Sequence, residues 1–251
     1  MIVINKKIGE SMSALIKRAR LEHGLPEDAK LTFAGRLDPL AEGVVLLLEE
    51  VEIPRKEEFL NLPKTYQFEL LLGITTDSHD PLGVVIDIHT LSEEKCVEVK
   101  ETIKNIIQGL IGTHTFSYPN FSSKTVGGIP LWTKAREARG SQNAPLKAPE
   151  RPMRIDTLKE VSNTTYSTQE LLSAVMELVG AVEGDFMQTE VIESWNMALQ
   201  GHENIAWYSY MFLMTCGSGT YVRTICDEIG KRLGCGGIAL RINRIAIGDY
   251  K

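Results

Sequence analysis

The string Phe33-Ala34-Gly35-Arg36-Leu37-Asp38-Pro39-Leu40-Ala41-Glu42-Gly43-Val44-Val45 sets one carboxylate, Asp38, in a turn rich in Gly and Pro. The turn runs straight into an apolar strand, Val44 to Leu48. Pro39 fixes its own φ and steers Asp38 away from helical backbone, which limits where the carboxylate can point. A carboxylate held at the mouth of a strand can attack an electrophile or stabilise a developing cation. An Asp in such a turn can equally do no more than hydrogen-bond its own backbone. Its partners elsewhere in the chain decide between the two.

Three other segments could supply those partners. Lys64-Thr65-Tyr66 opens a strand that ends in Leu72-Gly73-Ile74-Thr75-Thr76-Asp77-Ser78-His79-Asp80 and closes at Gly83. Phe116-Ser117-Tyr118-Pro119-Asn120-Phe121-Ser122-Ser123-Lys124 opens a basic stretch. Cys216-Gly217-Ser218-Gly219-Thr220-Tyr221-Val222-Arg223 is a glycine-rich strand-to-helix turn, followed by Asp227-Glu228-Ile229-Gly230-Lys231-Arg232-Leu233-Gly234-Cys235. A guanidinium such as Arg223 beside Asp38 would keep the carboxylate ionised and oriented. Tyr66 places an aromatic ring near the start of its strand. Each also has a plainer reading: Arg223 as a helix-start arginine, Tyr66 as a strand aromatic. Asp77 and Asp80 sit in a turn-rich loop and are assigned a capping role.

The elements that must position these groups can be read from periodicity. Ser11 to Glu22 has a cap and then Met12, Leu15, Ile16 and Ala19 on one helical face. Leu31 to Leu48 reads as turn and strand, Tyr66 to Leu72 and Val84 to His89 as strands. Ser92 to Gln108 reads as a helix with Val97, Ile103, Ile106 and Ile107 inward. Leu131 to Arg139 and Ser167 to Val179 read as helices, Tyr208 to Thr215 as a strand, Tyr221 to Leu233 as a helix and Ile238 to Ile247 as a closing strand. Strands and helices mix without strict alternation, so the expected architecture is α+β around one mixed sheet, in a single domain over residues 1–251. The segment 116–152, rich in Gly, Pro, Ser and Lys, is expected to be a mobile excursion from it.

Composition narrows the class. Of 251 residues, 43% are hydrophobic and 24% charged, as in an ordinary globular protein. No apolar run approaches a membrane span, and the N-terminus, a strand and then Lys6-Lys7, is unlike a signal peptide. The four cysteines form no C-x-x-C pair, and the five histidines form no H-E-x-x-H pair. A reducing, cytoplasmic setting without a metal is the expectation. The net charge of −6 argues against nucleic acid until its distribution is read. Residues 121–155 hold seven basic groups, from Lys124 through Lys147 to Arg154, against two acids; residues 156–193 hold eight acids and one lysine. A polarised surface of this kind suits phosphate binding on an acidic protein.

Taken together, the ordered blocks resemble the TruB family of tRNA pseudouridine synthases. These are the Gly35 to Gly43 block, the Lys64-Thr65-Tyr66 strand, the Gly73 to Gly83 loop, and Gly219-Thr220-Tyr221-Val222-Arg223 with its following helix. Four blocks in order are far more specific than any one. The resemblance implies the pseudouridine synthase fold, with a mixed, largely antiparallel central sheet flanked by helices and loops. It implies isomerisation of uridine to pseudouridine in the T-loop of tRNA, with the base flipped out. Asp38 would be the nucleophile, Arg223 its partner, Tyr66 the stacking aromatic and Ile242 the apolar residue beneath the base. Lys64 and Lys124 would lie near the site. The reaction rejoins the same base through a ring carbon, with no redox change and no attack by water, so no cofactor or metal is implied. Apolar neighbours would exclude water while the base is detached.

Two positions depart from the family's pattern: Phe33 stands where a histidine is usual, and Arg36 where a small residue is usual. Ala34-Gly35-Arg36-Leu37-Asp38 looks more like the rRNA-modifying synthases of the same superfamily, which makes rRNA an alternative target and Arg36 a candidate substrate contact. Many relatives continue into a small RNA-binding domain. This chain stops at Lys251, so segment 116–152 is expected to serve as the RNA clamp, with strongly salt-dependent binding. Two rivals from other classes are a non-catalytic RNA-binding or RNA-folding module and a metal-dependent phosphodiesterase using Asp38, Asp77, His79 and Asp80.

Overall fold

The run Lys64 to Leu72 shows how the sheet organises the molecule. Tyr66, Phe68, Leu70 and Leu72 point to one face and pack in one apolar cluster, while Leu71 points to the other face and packs in a second. A strand covered on both faces reads as a near-continuous hydrophobic run, which is why alternation there is imperfect in sequence.

The computed structural model describes residues 1–139 and 148–251. In chain order it contains β1 (Ile2–Lys6), α1 (Met12–Glu22), β2 (Leu31–Phe33), β3 (Ala41–Glu49), α2 (Lys56–Asn61), β4 (Lys64–Leu72), β5 (Ile74–Thr76) and β6 (Val85–Ile88). Next come α3 (Glu93–Gln108), β7 (Gly112–Ser117), β8 (Thr125–Val126), β9 (Ile129–Pro130), α4 (Leu131–Ala138) and β10 (Glu150–Ser167). The chain closes with α5 (Thr168–Gly180), α6 (Gln188–Leu199), β11 (Ala206–Cys216), α7 (Val222–Leu233) and β12 (Gly237–Ile247). The large sheet runs β1-β3-β12-β4-β11-β10-β7, with β2 also on β3. Only the β3–β12 pair is parallel among its described pairings, so the sheet is mixed and largely antiparallel.

Helices cover both faces. Leu15 of α1, Ile103 of α3 and Ile229 of α7 pack with Phe68, Phe212 and Val45 on one side. Val175 of α5 and Trp195 of α6 pack with Leu71, Trp207 and Leu240 on the other. Serine caps open three helices: Ser11 accepts from the Ala14 amide, Ser92 from Lys95, and Ser167 forms a full capping box with Glu170.

Two expectations need correction, and one strand was not foreseen. The buried face of α3 is Cys96, Val99, Ile103 and Ile107, whereas Val97 is exposed. The ends of the 116–152 excursion are paired strand, with Phe116 opposite Arg151 and Ser117 opposite Glu150, so the excursion leaves and re-enters the sheet through β7 and β10. Its residues 140–147, Lys147 included, lie outside the described residues. The eighteen-residue strand β10 had no clear sequence signal, because register shifts at Ile155/Thr157 and Glu160/Ser162 break the period of two.

Candidate active site

The loop carrying Asp38 joins β2 to β3, and two buried cations hold its backbone from opposite sides. Arg244 on β12 donates from Nε to the Val44 carbonyl at 2.7 Å, from Nη1 to Arg36 O at 3.3 Å and from Nη2 to Gly35 O at 3.2 Å. Lys6, at the end of β1, donates from Nζ to Ala41 O at 2.7 Å, Pro39 O at 3.0 Å and Lys7 O at 3.1 Å. Hydrogen bonds from a charged donor contribute about 1.5–3 kcal/mol each. Burial pushes the Lys6 ammonium down to about 8, with nearby Glu10 and Asp38 pulling the other way. Gly43 allows this arrangement: a Cβ there would lie 2.3 Å from the Arg244 carbonyl oxygen, so a larger residue would separate β3 from β12.

Arg223, in the first turn of α7, meets Asp38 across 185 residues of sequence. Its Nε donates to Asp38 Oδ2 at 2.8 Å, and the same Nε lies 3.5 Å from Asp80 Oδ2. Nη1 donates to Ser78 O at 2.8 Å and Nη2 to Phe121 O at 3.1 Å. One planar guanidinium thus ties together the Asp38 loop, the loop after β5 and the start of the excursion. Burial alone would lower the Arg223 pKa, but Asp38 and Asp80 outweigh it and hold the group above its ordinary value.

The two carboxylates on Arg223 differ in access. The Asp80 side chain is 6% exposed and accepts from Ser78 Oγ at 2.5 Å and Leu82 N at 3.0 Å; burial pushes its pKa up, against Arg223. The Asp38 side chain is 30% exposed. Asp38 is therefore the carboxylate that can meet a ligand, and Asp80 the one that braces the guanidinium.

Asp38 and Arg223 open into a pocket of about 350 Å³, within the range of small-molecule sites. Its floor comes from Arg36 to Pro39, Ser78, Asp80 and Leu82; its far walls come from Phe121 to Ser123, from α4, and from the α5–α6 turn at Asp185 to Met187. The Ser122 hydroxyl is buried in this lining without a hydrogen-bond partner among the described residues. Arg139, at the C-terminal end of α4, pairs with Asp77 through Nε–Oδ2 at 2.7 Å and Nη2–Oδ1 at 2.9 Å. Its guanidinium also lies 4.5 Å from the Phe121 ring centroid.

The residues singled out in sequence fall into three places. Asp38, Arg223 and Arg36 line the pocket; Arg36 is exposed, and its guanidinium lies 5.7 Å from the Phe33 ring. Tyr66 and Ile242 are buried together in the apolar cluster that also holds Leu37, and neither is among the side chains lining the pocket. Burial pushes the Tyr66 phenol up, against nearby Arg244. Lys64 is buried at the start of β4 with its ammonium on the Leu60 and Leu62 carbonyls, and burial followed by Arg244 brings it down to about 8. Lys124 is exposed over the Tyr118 ring at 5.4 Å, and the Arg151 guanidinium lies 5.7 Å from the same ring. The four donors of the phosphodiesterase reading are divided among three partners: Asp38 and Asp80 turn to Arg223, Asp77 to Arg139 and His79 to Asp227. Among the described residues no group of three or more His, Cys, Asp or Glu is placed to hold a metal ion.

Sequence reasoning did not single out Lys6, Arg244, Arg139 or the α5–α6 turn. For the first two a signal existed. Lys6 shares the buried face of β1 with Ile2 and Ile4, and Arg244 shares that of β12 with Ile242 and Ala246, so each is a charge at a core position of a strand. Buried charges of that kind are retained only with partners. The other two are visible only in the tertiary structure.

The α+β molecule, with its mixed sheet and a carboxylate and guanidinium converging at a loop beside it, shares its fold with solved pseudouridine synthases. The whole chain superposes on a solved structure described as a Cbf5-Nop10-Gar1 complex, with TM-score 0.55 at 16% identity, covering 99% of this chain and 49% of that one. The chain belongs to the TruB family of pseudouridylate synthases, whose N-terminal domain model matches residues 24–180. It is similar to tRNA pseudouridine synthase B of Syntrophotalea carbinolica, 27% identical over 252 residues, and of Cupriavidus taiwanensis, 26% identical over 249 residues. These matches take in 100% and 99% of this chain; the chain spans 65% and 62% of the two relatives' lengths.

Proposed function

We propose that this chain works as one catalytic unit that isomerises uridine to pseudouridine in the T-arm of tRNA, in the cytoplasm and without a metal or organic cofactor. The observation that carries the reading is the Asp38–Arg223 contact of 2.8 Å at the floor of an open pocket, with Asp38 the more exposed of two carboxylates. The names of the relatives, all tRNA pseudouridine synthase B, support the substrate class. Among the described residues no helix is long and apolar enough to cross a membrane, which is compatible with the setting.

In this reading Asp38 attacks the everted nucleotide, the bond between the sugar and the ring nitrogen breaks, and the base rejoins the sugar through C5. The carboxylate is released as the new bond forms, the hydrogen on C5 leaves as a proton and the freed ring nitrogen takes one up, so electrons and atoms balance without an oxidant or added water. Arg223 holds the attacking carboxylate in one orientation. Lys6 and Arg244 hold the backbone on either side of it. Leu37, the pocket-lining side chain of the apolar cluster, limits water at the detached base, with Tyr66 and Ile242 packed in the same cluster. Lys124 and Arg151 of the basic excursion contact phosphates.

A tritium-release assay tests this. tRNA transcribed with uridine labelled at C5 should release tritium with the RNA chain intact and with chelator present. Binding without release would mark a non-catalytic RNA module. Chain cleavage that stops with chelator would mark a phosphodiesterase. Mapping pseudouridine in RNA from cells lacking the protein then separates tRNA from rRNA, the target suggested by Arg36.

A further inference from the structure

The chain has seven Phe, three Trp and seven Tyr, all within the described residues. All but two are buried or half-buried, and those two, Trp132 at 45% and Phe186 at 40% exposure, both line the Asp38 pocket. They reach it from different elements. Trp132 sits in the first turn of α4, while Phe186 stands on the turn between α5 and α6. That turn is tightly built: Gln188 donates from its side chain to Val182 O and Gly184 O and accepts from Phe186 N at 3.0 Å, and Met187 N donates to Asp185 Oδ1 at 3.1 Å. Among the described residues neither ring makes a ring–ring or cation–ring contact. A turn that holds a large ring out into solvent beside a pocket does nothing for the core, since burial is where such rings stabilise a fold.

The surroundings indicate the occupant. Arg36, Arg136 and Arg139 line the same pocket, so the two rings stand among cations. Arg136 bridges α4 to the Phe186 turn through Asp185 Oδ2 at 2.5 Å, but the two side chains are 40% and 75% exposed. An exposed pair of that kind stabilises by at most about 1 kcal/mol and gives way to a competing anion. Unpartnered aromatic faces beside arginines match single-stranded nucleic acid, whose bases stack and whose phosphates pair. A base pulled into the pocket leaves its neighbours unstacked, and they need new faces.

We propose that Trp132 and Phe186 are stacking platforms for the unpaired bases that flank the everted nucleotide, with the Arg136–Asp185 bridge opening to free Arg136 for a phosphate. This rests on the RNA substrate proposed above. Trp195 and Trp207 are fully buried, so Trp132 supplies an optical signal of its own. A T-arm stem–loop should quench tryptophan fluorescence in the wild type and leave Trp132→Phe unquenched. Replacing one of the two flanking nucleotides by an abasic residue should abolish the quench. Phe186→Ala should weaken binding about tenfold on intact RNA and far less on one of the abasic RNAs; Phe186→Leu, which keeps the bulk, should share this loss. Isomerisation without any quench, or an equal loss for both Phe186 variants on intact and both abasic RNAs, would overturn the stacking role alone. Wild-type protein that neither binds nor isomerises the stem–loop would overturn the functional reading beneath it.

Discussion

The cations that hold Asp38 and its loop are buried, whereas the Arg136–Asp185 pair at the rim faces solvent. Lys6, Arg223 and Arg244 are 1–2% exposed, and each divides its donors among three or more oxygens. Arg136 and Asp185, which close the far side, are 40% and 75% exposed. A buried charge stripped of its partner is expensive, so the floor has one arrangement and keeps it. An exposed pair is nearly neutral in energy, so the rim can exchange a carboxylate for a phosphate. One pocket thus combines a fixed carboxylate with an adaptable mouth, which is what attack on a base delivered by a large RNA requires.

The largest effect should come from removing the cation common to both carboxylates. Arg223→Met leaves Asp38 and Asp80 without their partner, and breaking a buried pair from one side costs about 3–5 kcal/mol. Urea unfolding should register that loss, and product formation in a single turnover should fall by at least about 100-fold, as misplacement of a reacting group does. A variant as stable and active as the wild type would remove the floor from the account.

Arg244→Met should be next. It frees the Gly35, Arg36 and Val44 carbonyls from their donor, so the Asp38 loop loosens without losing any pocket-lining group. The turnover rate should fall about tenfold or more while RNA affinity stays within a few-fold. Equal losses in both would assign Arg244 to docking.

At the rim, Arg136→Ala should change stability by under about 1 kcal/mol. It should lower the slope of RNA affinity against salt by about one, the contribution of a single phosphate contact. An unchanged slope would leave Arg136 tied to Asp185 in the complex.

The smallest effect concerns pH. Lys64 is held down to about 8 from its ordinary 10.5, chiefly by burial. Below pH 8 folded and unfolded chains both carry that proton. Between about 8 and 10.5 only the unfolded chain does, so this group adds stability as pH rises. The stability difference between wild type and Lys64→Met should therefore shift in favour of the wild type across that window; parallel curves would mean the ammonium is not held this way.

Much of this was legible before the fold was known, for identifiable reasons. Asp38 and Arg223 stand in dense local patterns, and the structure brings them to 2.8 Å. Three helices, α1, α3 and α5, open on serine caps that the backbone obeys. Helix α6 does not: it starts after Met187 in a left-handed conformation with no side-chain cap, and so left no mark. Lys6 and Arg244 look like surface charges until the faces of β1 and β12 are assigned, because a period of two says which residues share a face but not which face is covered. The rim is assembled from α4 and the α5–α6 turn, 49 residues apart at Arg136 and Asp185, and only packing joins them.

The most direct test replaces the carboxylate and leaves its shape. Asp38→Asn, compared with wild type in tritium release from tRNA labelled at uridine C5 and in binding to the same RNA, should give no product with affinity within a few-fold of wild type. Full release by Asp38→Asn would show that the chemistry does not depend on this carboxylate and would contradict the account.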